Sequence, residues 1–350
     1  MTRFSRAVLV ISVLVWSIAA SAKVPDVKAA DVDVSVYLVG DAGVTGSPLF
    51  AALETDIRKR IDGIGASHVA VIFLGDNVYP RGVEPKGASA VLRAQADAAN
   101  IAPDVQIFFV AGNHDWDQGR QDGLDRVRRE TELIDAMTDN VYMLPGWGCP
   151  GPVARNLGRG LRVIALDTQW WLHPWRKPKS EQCQFNTKAS VETAITALLN
   201  EDGGRQTIVV AHHPFVSGGS HGNGRTSPQD YNNSVNVAMR TSMQTAIRAA
   251  RRQPLAWVSG HEHTLEVLKG NSARYLLVSG AGKYGDTEPV TPRSAPEGRW
   301  LFPTERRARP VAGFMRLDMR KSGAPPRLGV FELSREDKKS LVEVYSLLLQ

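Results

Sequence analysis

The feature that most constrains this chain is a recurring unit, a short run of β-branched and aromatic residues that ends abruptly in polar ones. Such runs occupy residues 35–39 (SVYLV), 69–74 (VAVIFL), 106–110 (QIFFV), 162–166 (RVIAL), 207–210 (TIVV) and 256–259 (AWVS). They lack the apolar–polar alternation of a half-exposed strand, so they read as strands buried on both faces. Helical spacing separates them. Residues 49–61 follow a capping Ser47 and a first-turn Pro48, and 122–137, 190–200 and 235–252 carry apolar residues at helical intervals. Strands alternating with helices define an α/β protein. After residue 273 the pattern changes to strands at 275–279, 314–319, 327–333 and 341–348, which predicts a second sheet built largely from the carboxy-terminal third. The Pro, Arg and Glu-rich stretch 286–310 reads as a long connection forming a functional rim or a mobile segment.

Composition narrows the class. With 43% hydrophobic and 22% charged residues, 31 Gly and 20 Pro among 350, the chain is neither collagenous, coiled-coil nor mainly disordered. The formal charge of +6 favours anionic partners only weakly, and most of these cations read as a solvated surface. Arg3 and Arg6 precede the apolar segment 7–20, and Ala20-Ser21-Ala22 supplies small residues for cleavage. This predicts a secretory signal at 1–22, a linker at 23–32 and a catalytic domain at 33–350, exported to a periplasmic or secreted location. An uncleaved membrane anchor is the alternative. In an oxidising compartment Cys149 and Cys183 have either one bridge or two free thiols open to them.

Five strand ends carry the chemistry: Gly40-Asp41-Ala42-Gly43, Gly75-Asp76-Asn77-Val78-Tyr79, Gly112-Asn113-His114-Asp115, His212-His213-Pro214 and Gly260-His261-Glu262-His263. In an open α/β sheet the carboxyl ends of strands share one crevice, so these distant residues meet. Carboxylate, amide, imidazole and phenol groups are ligands for two divalent or trivalent first-row metals, not for a thiolate zinc or iron–sulfur site.

In this order the motifs resemble the calcineurin-like metallophosphoesterases, over Asp41 to His263 and on to the YLLVSGAG segment at 275–282. The resemblance implies an αββα fold, a two-sheet β-sandwich flanked by helices. Many members place a histidine two residues after the first aspartate, where this chain has Gly43. Tyr79 supplies the missing ligand by resemblance to the small tartrate-resistant purple acid phosphatases, in which a tyrosinate binds ferric iron. Carried over, Asp41, Asp76, Tyr79 and His263 hold the first metal, Fe(III), and Asp76, Asn113, His212 and His261 hold the second, which is iron, zinc or manganese. His213 neighbours the ligands. His114 contacts the phosphate and assists the leaving oxygen, with Asp115 orienting it, and His221 in the glycine-rich stretch 217–222 is a further active-site histidine. The implied reaction is hydrolysis of phosphomonoesters by a metal-activated hydroxide, on a small phosphorylated substrate and not on nucleic acid, without stable membrane insertion after signal cleavage. A phosphodiesterase or nucleotide pyrophosphatase is the alternative on the same scaffold, and a non-catalytic binding protein a third. Oligomeric state is left open. Trp170, Trp171 and Trp175 read as a packed or surface aromatic cluster rather than a substrate groove, and Arg293 and the 305–309 cations as a solvated loop.

Overall fold

The computed structural model describes residues 23–201 and 203–350; the predicted signal segment lies outside them. The strands are β1 (Val32–Val39), β2 (Val69–Phe73), β3 (Gln106–Phe109), β4 (Val141–Met143), β5 (Val153–Leu157), β6 (Leu161–Ala165), β7 (Gln206–Val210), β8 (Ala256–Ser259), β9 (Leu265–Gly270), β10 (Tyr275–Ser279), β11 (Gly298–Phe302), β12 (Gly313–Arg320), β13 (Arg327–Leu333) and β14 (Leu341–Leu348). The helices are α1 (Pro48–Ile64), α2 (Ala90–Ala99), α3 (Gly123–Asp135), α4 (Gln169–Leu172), α5 (Lys188–Asn200) and α6 (Ser234–Ala249).

Among the described residues the strands form two seven-stranded mixed sheets, ordered β14-β13-β12-β1-β2-β3-β4 and β11-β9-β10-β8-β7-β6-β5. The α/β two-sheet architecture is therefore as the sequence predicts, but the second sheet is not a product of the carboxy-terminal third. That third divides: β12, β13 and β14 extend the first sheet from β1, whereas β9, β10 and β11 join the second. The 286–310 stretch is likewise not a structureless connection, because it contains β11.

Alternate residues of the central strands enter two different cores, which explains their unbroken apolar runs. Val36, Leu38, Ile72 and Val110 meet Val163, Ile208, Val210 and Val258 between the sheets. Tyr37, Val39, Val71, Phe73 and Phe109 point the other way, into a core with Leu49, Leu53 and Ile57 of α1. Each such burial stabilises the fold by about 1.5–3 kcal/mol. Helix α1 starts where Ser47 accepts a hydrogen bond from the Leu49 amide and Pro48 fills the first turn, and it stops at Gly65, whose φ is 87°.

Cys149 and Cys183 form a disulfide with Cα atoms 5.6 Å apart, closing a loop of sequence separation 34. Replacing both by serine should lower stability by ~3–4 kcal/mol in a denaturant titration, from loop entropy restored to the unfolded chain. An unchanged midpoint would show that native packing alone fixes this loop. Trp170 and Trp171 are packed at 4% exposure each, and Trp175 is exposed. No helix among the described residues is long and apolar enough to cross a membrane, and the disulfide fits an extracellular or periplasmic setting.

Candidate metal centre

The five motifs gather at one end of the sandwich because β1, β2 and β3 run parallel in one sheet and β7 and β8 in the other. The two sheets come together there through glycines: a Cβ on Gly40 would lie 2.9 Å from Gly260 Cα. Three motif residues adopt left-handed backbone, Asp41 (φ 59°), Asp76 (φ 55°) and His261 (φ 72°). Non-glycine residues hold this conformation only where surrounding structure enforces it, and such strain concentrates at functional sites.

All seven expected ligands come together. Tyr79 Oη lies 3.2 Å from Asp41 Oδ1, 3.1 Å from Asp76 Oδ2 and 2.9 Å from His263 Nε2. Asn113 Oδ1 lies 3.0 Å from both His212 Nε2 and His261 Nδ1, and His212 Nε2 is 3.3 Å from Asp76 Oδ1. Asp41, Asp76 and His212 each bring a ligand atom within 4.8 Å of one another, as do His212, His213 and His261.

Backbone carbonyls set the imidazole tautomers. His212 Nδ1–H donates to Leu74 O, His261 Nε2–H to Gln229 O and His263 Nδ1–H to Asp286 O, at 2.8, 3.1 and 2.7 Å. Each remaining nitrogen then turns a lone pair inward: those of His212 and His261 face oxygens that are themselves acceptors, while that of His263 faces the Tyr79 hydroxyl. With Asn113 Oδ1 inward, acceptors face acceptors at hydrogen-bond distance, an arrangement a cation resolves. Electrostatics agree: burial and the neighbouring Asp76 push the Asp41 carboxyl well above the usual range, and burial with Asp76 and Asp41 does the same to the Tyr79 phenol. Burial keeps His212, His261 and His263 neutral, the form that binds metals. These residues fit a pair of cations. His213 differs, since Thr168 Oγ1 and Gln229 Oε1 occupy its Nδ1 and Nε2, each at 2.7 Å.

His114 stands at the rim. Its Nδ1 bonds to Pro80 O, its ring packs 4.4 Å from that of Tyr79, and its Nε2 is 3.8 Å from Asp76 Oδ2. His221 occupies another part of the rim, stacked 4.5 Å from the His261 ring and bonded to Asp230 at 2.8 Å. Asp115 lies beneath, fully buried, accepting from the amides of Gly112, Asn77 and Val78. Its hydrogen bonds brace the 75–79 and 112–115 turns instead of running to the His114 ring, and burial with Asp76 raises its pKa to about 7.

Sequence reasoning missed several parts of this site. Glu130, from α3, bonds to Asn77 Nδ2 at 2.9 Å behind the turn, and Thr168 and Gln229 hold His213. Lys283 lies over the Tyr79 ring at 4.3 Å. Its position directly after the SGAG segment was the one available signal.

This arrangement of two mixed sheets, with buried Asp41, Asp76, Asn113, His212 and His261 joined by half-buried Tyr79 and His263, fits a metallophosphoesterase. The chain belongs to the calcineurin-like phosphoesterase family, whose model matches residues 34–265. Its fold is similar to that of a Plasmodium protein described as GAP50, the anchor in the inner membrane complex, at 15% identity, covering 91% of this chain and 88% of that one with a TM-score of 0.54. It is also similar to PhoD at 11% identity, covering 91% and 72%, with a TM-score of 0.52. No curated protein matches by sequence.

Proposed function

We propose that this chain is an exported phosphomonoesterase of the purple acid phosphatase type. The observation that carries this reading is Tyr79 Oη placed among Asp41, Asp76 and His263 at 2.9–3.2 Å. In this reading Asp41, Asp76, Tyr79 and His263 hold Fe(III), because a hard trivalent ion is the natural complement of a phenolate. Asp76, Asn113, His212 and His261 hold iron, zinc or manganese. His213 is left out because hydrogen bonds occupy both of its nitrogens. When bound, the cation pair supplies Lewis acidity and a nucleophile derived from water.

The protein groups do the rest. His114, partly exposed beside Tyr79, delivers a proton to the leaving oxygen of the ester. His221, fixed by Asp230, and Lys283 meet the phosphoryl oxygens from other parts of the rim. Asp115 keeps the two ligand-bearing turns in register. The intact inward-facing ligand set supports catalysis over a purely anchoring or binding role, which needs no such set. The substrate is a small phosphorylated molecule rather than nucleic acid.

Two measurements test this reading. The purified protein should absorb in the visible from tyrosinate-to-iron charge transfer, and Tyr79→Phe should bleach the band. A panel of monoester, diester and pyrophosphate substrates should show preference for the monoester. A colourless, iron-free, active enzyme would remove the purple-phosphatase assignment, and diester preference would replace the substrate class.

A further inference from the structure

The stretch 217–222 that carries His221 contains Gly218, Gly219 and Gly222, and a backbone so rich in glycine does not hold one place by itself. Close neighbours on two sides require those small residues. A Cβ on Gly219 would overlap Glu262 Oε2, and one on Gly218 would lie 2.8 Å from Val290 Cγ1. The position of His221 must therefore come from bonds made by other segments.

Carboxylates supply those bonds. Glu266, fully buried on β9, accepts from Ser217 Oγ at 3.0 Å and from the Gly218 amide at 3.1 Å, which fixes the start of the stretch. Asp230 Oδ1 pairs with His221 Nδ1 at 2.8 Å. Glu288 Oε2 accepts from the Ser220 amide at 2.9 Å, one residue before His221. Glu288 differs from the other two, because its own amide donates to the His263 carbonyl at 2.9 Å. A single residue thus joins the backbone of a proposed metal ligand to the backbone beside His221. Its segment is braced in turn: Thr291 N donates to Gly218 O at 3.0 Å, and Val290 exchanges both backbone bonds with Arg307, at 3.1 and 2.9 Å.

We propose that Glu288 is the positioning residue for His221, its carboxylate fixing the Ser220–His221 backbone relative to the His263 turn so that the imidazole reaches the phosphoryl group. This rests on the role given above to His221, and it divides the work of placing that side chain: Asp230 orients the ring and Glu288 sets the backbone. A displacement of the backbone by even a fraction of an ångström weakens the contact. The bond to Ser220 needs an acceptor and not a charge, so an amide oxygen serves as well as a carboxylate.

Inorganic phosphate is the probe, titrated calorimetrically into the metal-loaded protein, with kcat and KM for p-nitrophenyl phosphate measured alongside. His221→Ala should raise the phosphate Kd about tenfold and KM by a similar factor, with the smaller change in kcat. Glu288→Ala should raise both constants by at least about threefold with metal content unchanged, and should add nothing in the His221→Ala background. Glu288→Gln should restore parental values to within about twofold. Ser220→Pro removes the same bond from its other end, at a φ of −69° that proline accepts, and should match Glu288→Ala. Circular dichroism verifies folding, and if Glu288→Ala misfolds, Ser220→Pro decides in its place. Parental affinity in Glu288→Ala, Glu288→Gln as impaired as the alanine, a further loss in the double variant, or loss of metal in Glu288→Ala would each overturn the proposal. No effect of His221→Ala, or no phosphate binding by the parent protein, would instead refute the role of His221 and the proposal with it.

Discussion

Asp76→Asn should remove metal and turnover together. Asp76 Oδ1 faces His212 Nε2 at 3.3 Å and accepts the His114 amide at 2.9 Å, while Oδ2 meets Tyr79 Oη at 3.1 Å. One carboxylate thus serves both halves of the cluster. Asparagine preserves the shape but removes the charge. Turnover should fall at least ~10³-fold, equivalent to about 4 kcal/mol of barrier, with elemental analysis showing fewer than two metals per chain. Full activity with two metals retained would refute the ligand assignment.

Gly112→Ala should be nearly as damaging without touching a ligand. A Cβ at this position would lie 2.2 Å from Asp76 Oδ1, 2.3 Å from Asp76 N and 2.9 Å from His212 Cε1. None of these atoms is the free end of a flexible chain. The backbone must shift, which should cost about 2–3 kcal/mol in denaturant unfolding. Displacing Asp76 relative to His212 by a fraction of an ångström up to ~1 Å should lower kcat about 100-fold. Unchanged kcat with unchanged stability would mean that the turns are far softer than their hydrogen bonding indicates.

The central strands were readable because burial on both faces writes a continuous apolar run, and the site was readable because its residues terminate those runs in a fixed order. Strands without that signature were mostly missed, β14 excepted, and β9 was missed although Leu265 to Leu268 are buried. β4, β5 and β11 carry exposed or half-exposed positions, so nothing in their composition separates them from loops. The placement of β12 beside β1 was illegible for another reason. Ser35 bonds to Asp318 across a separation of 283 residues, and a local pattern does not encode so distant a partner. Backbone acceptors left no trace either: the carbonyls of Leu74, Gln229 and Asp286 turn the histidines, yet a carbonyl belongs to every residue type. The same applies to Asp115, whose motif position suggested a role towards His114 and whose burial instead directs it to the amides beneath.

The antiparallel pairing of β1 with β12 also dictates when the molecule can be completed. β1 delivers Asp41, yet its free edge waits for residues 313–320, so the strand bearing the first ligand is among the earliest made and among the last to be enclosed. Until then an apolar strand presents unpaired amides and carbonyls to whatever lies nearby. A chain truncated before residue 313 would retain all five motifs and still be prone to aggregate, because what it lacks is the cover for that edge.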